Sequence, residues 1–261
     1  MTVQRKIAVT LVALLALGAS VAPALAKSNP GGAAPGVLTL PDGTPLVVRL
    51  GNPLVRASGD GIAVAVRATA LLHGLMRITG TTAPGAGTVT IERRDPVAGW
   101  VPIASAAVAV DGSFTALWRP DHVGSLQLRA VTGTAAAGTA TSDPALDPTA
   151  PLLGLTVYHA DIASWYGPTS RNEKTACGIP LRPWTLGVAH RTLPCGTRVA
   201  LYYKGRSVVV PVIDRGPYVK GRTWDLTRET FLALGGDDGL IRVGALPLTP
   251  APRTRAGGVS H

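Results

Sequence analysis

Between residues 37 and 142 the chain alternates short apolar runs with turn signals. The runs are LVVRL (46–50), IAVAVRA (62–68), LMRITG (75–80), TVTIERR (88–94), WVPIASAAVAV (100–110), SFTALW (113–118) and SLQLRAV (125–131). Asp60-Gly61, Pro84-Gly85, Asp111-Gly112 and Gly124 separate them. Alternation with a period of two sends successive side chains to opposite faces of a strand. Many short strands at this spacing predict a β-sandwich. Trp100, Phe114, Trp118 and Leu126 are expected in its core. His73 and His122 stand alone and suggest no chemistry.

Residues 133–151, GTAAAGTATSDPALDPTAP, nearly lack large apolar side chains. They set a boundary near residue 150, with a linker over 143–154 dividing a domain at 37–142 from one at 155–248. Beyond it the pattern predicts strands at 155–166, 185–190, 197–203, 206–213 and 240–246. One helix is expected at 228–234, with Thr227 as N-cap and Gly235-Gly236 ending it. The expected class is all-β with one short helix.

The ends read differently. Arg5 and Lys6 precede an apolar core, Ile7 to Leu17, and Ala24-Leu25-Ala26 forms a small-x-small cleavage site. Residues 1–26 are therefore expected to be a secretory signal peptide; the apolar core is too short for a membrane span. No other stretch is apolar enough to cross a membrane. Residues 27–36 read as a linker of Pro, Gly and small side chains, and 249–261 as a disordered basic tail. Export to the cell envelope or cell wall follows.

The formal charge is +10, and removing Arg5 and Lys6 with the leader lowers it by two. A basic exported protein suits an anionic partner such as a wall polymer. No motif points to nucleic acid. The two cysteines, Cys177 and Cys195, most simply form one disulfide in an oxidising compartment. Without a matching His cluster they do not make a zinc site, so no metal or cofactor is expected.

Candidate chemistry concentrates in SVVVPVIDRGPYVKGRTWDL, residues 207–226. An apolar run, Val208–Ile213, delivers Asp214 into a Gly216-Pro217 turn, and a second acid, Asp225, follows. Residues on such turns, held by a rigid strand, often form sites.

Taken together, ASWYGP (163–168), TACG (175–178), GVAHRTLPCGTRV (187–199), VPVIDRGPYVKGRTWDLT (210–227) and ALGG (233–236) resemble the RlpA (rare lipoprotein A) family. The resemblance covers about 158–248. It implies a six-stranded double-psi β-barrel related to those of expansins and barwin. Separately, residues 100–131 resemble bacterial immunoglobulin-like (Ig-like) domains.

The RlpA resemblance further implies a lytic transglycosylase of peptidoglycan glycan strands. Such an enzyme cleaves between N-acetylmuramic acid and N-acetylglucosamine without water, leaving a 1,6-anhydro sugar. The family's acting residues fall on Asp214 and His190. A poor glycosidic leaving group needs a proton in the transition state, and one carboxyl can serve as acid and then as base. His190 is placed to orient Asp214 or to hydrogen-bond the sugar. Substrate contacts are expected from Tyr166, with its neighbour Trp165 in the core, and from Arg215, Tyr218, Lys220 and Asp225. One departure bears on activity: Ile179 stands where many members carry a Glu. With TACG and the cysteine pair, it supports an alternative, a non-catalytic expansin-like module that binds and loosens wall polysaccharide. Protein partners and the role of the first domain are not legible.

Overall fold

The computed structural model describes residues 40–44, 46–133, 150–169 and 173–248. The expected signal peptide at 1–26, the linker at 27–36, most of the linker at 143–154 and the tail at 249–261 lie outside them.

Two β-systems follow one another. Strands β2 (Leu54–Gly59), β3 (Ile62–Arg67), β5 (Met76–Thr81) and β8 (Ser113–Trp118) form an antiparallel sheet. A second sheet runs β7 (Gly99–Ala107), β6 (Thr88–Asp95), β9 (Gly124–Thr132) and the first half of β10 (Leu152–Tyr166), with β4 (Thr69–Leu71) parallel to β10. The inward positions of β3 and β8 alternate with exposed ones. Ile62, Val64, Val66, Ile78, Phe114 and Trp118 pack there against Val89, Ile91, Leu128, Leu153 and Val157 of the other sheet. Each such side chain contributes roughly 1.5–3 kcal/mol by leaving water. Trp100 lies outside this core, with the Arg129 guanidinium 4.5 Å over its ring. Its strand bulges where Ile91 gives way to Glu92 opposite, and one such irregularity alters which face a side chain takes.

The run at 46–50, expected as a sandwich strand, pairs elsewhere. Its end, β1 (Arg49–Leu50), is antiparallel to Ser207 and Arg206 in the second half of the molecule. Leu40, Leu46 and Val48 pack with that half's core. Strand β2 was hidden by its half-polar sequence, LVRASG, and β4 by its three-residue length.

The second half is a closed six-stranded barrel. It uses the latter part of β10 with β11 (Val188–Ala189), β12 (Arg198–Tyr203), β13 (Arg206–Asp214), β14 (Trp224–Thr227) and β15 (Ile241–Pro247). Around the ring the order is β10-β14-β11-β13-β12-β15 and back to β10. Two of the six contacts are parallel, β10 with β14 and β11 with β13. Val188, Leu201, Val210, Val212, Leu226 and Val243 fill the interior. Helix α1 (Arg228–Ala233) begins where the Thr227 side chain accepts the Thr230 N–H. It ends before Gly235, whose φ of 80° suits a residue without a Cβ.

Strand β10 belongs to both halves. Leu152–Val157 pairs with β9, His159–Ala163 with β15 and Ala163–Tyr166 with β14. It starts at Leu152, inside the stretch expected as linker. Among the described residues no helix is long and apolar enough to cross a membrane.

Candidate functional site

The strand ends of β13, β11 and β14 build the site. Parallel pairing of β11 with β13 brings Ala189 opposite Asp214, and antiparallel pairing with β14 brings the same Ala189 opposite Asp225. The two carboxylates thus flank a residue whose side chain is one methyl. On the far side of β14, Ser164 is opposite Asp225, and its hydroxyl donates to Asp225 Oδ1 at 2.9 Å. Burial pushes the Asp225 carboxyl above its usual range; the Asp214 charge adds to this, and Ser164 and Arg222 oppose it.

Asp214 is anchored by backbone. The N–H groups of Ala176 and Arg215 both donate to its Oδ1, each at 2.8 Å. One carboxylate oxygen is thus fixed by two backbone N–H groups. The Tyr166 hydroxyl lies buried beside this carboxylate and feels its charge, but closes no well-formed hydrogen bond. Burial first, then Asp214, Asp225 and Glu173, raise the phenol far above its ordinary range, so it stays protonated. Its neighbour Trp165 packs at 6.1 Å from Phe231, under the Arg228 guanidinium.

His190 continues β11. Its N–H donates to the Asp214 carbonyl at 3.2 Å, so the two residues are joined through the backbone. The imidazole itself turns to Trp224, ring centroids 4.6 Å apart, and accepts at Nδ1 from Thr192 and Leu193 N–H. Burial, Arg191 and Arg215 hold it below the usual histidine range.

The loops are tied by cations and sulfur. The Arg215 guanidinium donates to the carbonyls of Leu193 (2.9 Å) and His190 (3.4 Å) and reaches Cys195 Sγ at 3.3 Å. Cys177 and Cys195 are bonded, Cα atoms 5.8 Å apart. This joins the loop that caps Asp214 to the loop that caps His190. Arg191 donates to the Pro217 carbonyl at 2.6 Å and the Arg222 carbonyl at 2.7 Å, fixing the 216–222 turn. That turn holds Lys220 exposed and Tyr218 81% exposed; neither contacts the carboxylates. Trp184, 65% exposed, is a further open aromatic.

Asp214, Tyr166 and Asp225 are thus brought together, with His190 alongside. Sequence reasoning missed Ser164, Arg191, Glu173 and the whole of β14. The signal for β14 was present in the alternation of Trp224-Asp225-Leu226-Thr227, but it was absorbed into the start of the helix. Ile179 is half-buried, and its N–H bonds the Thr175 hydroxyl at 3.2 Å. Among the described residues no cluster of His, Cys, Asp or Glu is arranged to hold a metal ion.

Comparison with known proteins bears on the barrel alone. Residues 159–245 match the family model described as Lytic transglycolase. Over 92 residues the chain is 44% identical to the probable endolytic peptidoglycan transglycosylase RlpA of Aquifex aeolicus, covering 34% of this chain and 39% of that protein. The protein of the same name from Synechocystis sp. is 47% identical over 76 residues, covering 28% and 24%. The endolytic peptidoglycan transglycosylase RlpA of Campylobacter jejuni is 44% identical over 69 residues, covering 26% and 25%. The chain thus spans under two-fifths of the length of each of these relatives. Among solved structures, a biofilm-associated protein BSP domain aligns at a TM-score of 0.23 and 14% identity, covering 64% of this chain and 24% of that one; it is too distant to bear on the fold. The order of the strands, the two parallel pairs and these matches agree: over residues 159–245 the chain is a six-stranded barrel, consistent with a double-psi β-barrel and similar in sequence to the RlpA proteins.

Proposed function

We propose that the barrel is a lytic transglycosylase acting on peptidoglycan glycan strands in the cell envelope. The observation that carries this reading is the Asp214 carboxyl, fixed through one oxygen and flanked by Tyr166 and Asp225 at the open end of β13. A proton from this acid pair goes to the glycosidic oxygen as its bond to C1 breaks. The muramyl 6-hydroxyl oxygen then bonds to C1, and its proton returns to Asp214 Oδ2. No water is consumed and the product is a 1,6-anhydro sugar. Two interacting carboxyls share a proton more readily than two isolated ones, and Asp225, with its raised pKa, helps to keep one in the site. Tyr166, a neutral phenol, steadies the carboxylate when it is ionised. His190 offers a hydrogen bond to a sugar oxygen.

One observation favours a second reading. Ile179 supplies an apolar side chain where many members of the family carry a carboxylate, which suits a wall-binding module without turnover. The first half of the chain, with its two packed sheets, fits an Ig-like spacer or docking domain. Export through a signal peptide at 1–26 completes the reading.

The test is digestion of purified sacculi, intact and stripped of stem peptides, by wild type and Asp214→Asn, read by mass spectrometry. Anhydro-muramyl products from wild type, reduced about 10²–10⁴-fold in the variant, support the enzyme. Reducing-end products would replace the mechanism with hydrolysis. Wall binding without products would favour the module.

A further inference from the structure

The His190 ring is held from two directions. Thr192 and Leu193 N–H donate to Nδ1 at 3.2 and 3.0 Å. A backbone N–H only donates, so Nδ1 carries a lone pair there and the neutral ring carries its proton on Nε2. Protonating Nδ1 would break both bonds. From the other direction the ring rests on Trp224, itself buried in the barrel core.

Trp224 is fixed at its far end. Its indole Nε1–H donates to Asp161 Oδ2 at 3.1 Å. Asp161 sits on β10, its side chain 12% exposed and 3.0 Å from His159 Nδ1. Its Oδ1 also accepts from the Thr223 hydroxyl at 3.2 Å. An indole has two torsions, and one directed N–H bond selects its orientation. The line of contact therefore runs from carboxylate to indole to imidazole. The charged groups acting on His190 are Arg191, Arg215 and Asp161; the arginines disfavour its cation and Asp161 opposes them.

We propose that Asp161 and Trp224 are positioning residues. With the N–H groups of Thr192 and Leu193 they present His190 to the substrate as a fixed Nε2–H donor, and not as a general base. A base needs a free ring nitrogen; Nδ1 is occupied, and Nε2 carries the proton. The acceptor is a glycan oxygen, and in that identity and in the rate measurements below the inference rests on the proposed function.

The test uses the full chain labelled with ¹⁵N-histidine. Two-bond ¹H–¹⁵N correlation spectra at pH 7 are expected to show His190 as the Nε2–H tautomer. Asp161→Ala and Trp224→Phe, each confirmed folded by its melting curve, are expected to broaden that signal or mix the tautomers. Both lower kcat about tenfold with KM nearly unchanged, since small displacements of a catalytic group are costly. The double variant is expected to be no worse than the poorer single one, because both break one link. Asp161→Asn keeps an acceptor oxygen and is expected to restore most of the rate. An imidazolium or an Nδ1–H tautomer in wild type overturns the proposal, as do wild-type spectra in both variants. Wild type that yields no anhydro product would sink the glycan-cleaving reading, leaving the spectra to decide this one.

Discussion

The two halves of the molecule bury similar residue types but connect them differently. The sandwich sheets join mostly strands close in sequence, as in the β2–β3 and β6–β7 hairpins. The barrel joins β10 to β14 and β11 to β13 in parallel, across long intervening segments. An antiparallel hairpin places its strand ends beside its own turn. A parallel pair places like ends together, which is how Ala189 comes to stand opposite Asp214. The site exists because crossovers bring distant strand ends to one edge, where backbone N–H groups are free to hold a carboxylate. The sandwich has cations and aromatics of its own, such as Arg129 over Trp100, but Arg129 is spent on Glu92 at 2.6 Å.

This comparison can be pressed experimentally. The largest effect is expected from Phe114→Ala in the sandwich core, which should cost about 3–5 kcal/mol by leaving a cavity. Because β10 serves both halves, calorimetry should show one transition moved down as a whole. A barrel transition that stays in place would break the view that the halves are coupled. Next is the double change Cys177→Ser with Cys195→Ser. Opening a loop with a sequence separation of 18 should cost roughly 3 kcal/mol. It should also reduce turnover per folded molecule, since both site loops are freed. A full loss of stability without loss of rate would show that the loops hold themselves.

A smaller effect is expected from Gly187→Ala. A Cβ at this position would lie 2.6 Å from Ile213 side-chain atoms, and Ile213 immediately precedes Asp214. Overpacking of this kind costs about 1–3 kcal/mol, and displacement of Asp214 should lower kcat in the same variant. Smallest is Asp225→Asn. The folded-state pKa of Asp225 lies above its unfolded value, so at pH above both values the ionised group works against folding. That penalty fades as pH falls through the folded value. The variant should be slightly more stable at neutral pH, a gain kept small by solvent screening of this partly exposed group. The gain should shrink in acid, and activity should fall. A variant less stable at pH 7 would show that the Ser164 bond outweighs burial.

How much was legible follows from the same contrast. The apolar runs at 62–68, 113–118 and 206–213 read as strands because their alternation or β-branched content is local information. The run at 46–50 read as a sandwich strand by proximity. It packs on the barrel because Leu40, Leu46 and Val48 find apolar partners there, which no local pattern reports. Asp214 stood out as an acid delivered by an apolar strand. Ser164 did not, since its role depends on register across a parallel pair. Arg215 read as a cation for muramyl carboxylates or a phosphate-bearing polymer; that its guanidinium also bonds the carbonyls of His190 and Leu193 was not legible. A sequence shows that a cation is present, not which oxygen satisfies it. Arg191, which holds the Pro217 turn, was passed over for the same reason.

Strand β10 has a mechanical consequence. Its 15 residues span about 50 Å at the usual rise per residue, from the sandwich to Ser164 and Tyr166. A load applied to the sandwich along this strand is carried in shear, with the hydrogen bonds to β9, β15 and β14 resisting in concert rather than unzipping singly. The strand is a tie rod between the sandwich and the edge of the barrel that carries Asp225 and Tyr166. Tension applied to the first half would reach Ser164 and Tyr166 through hydrogen bonds shared along its length.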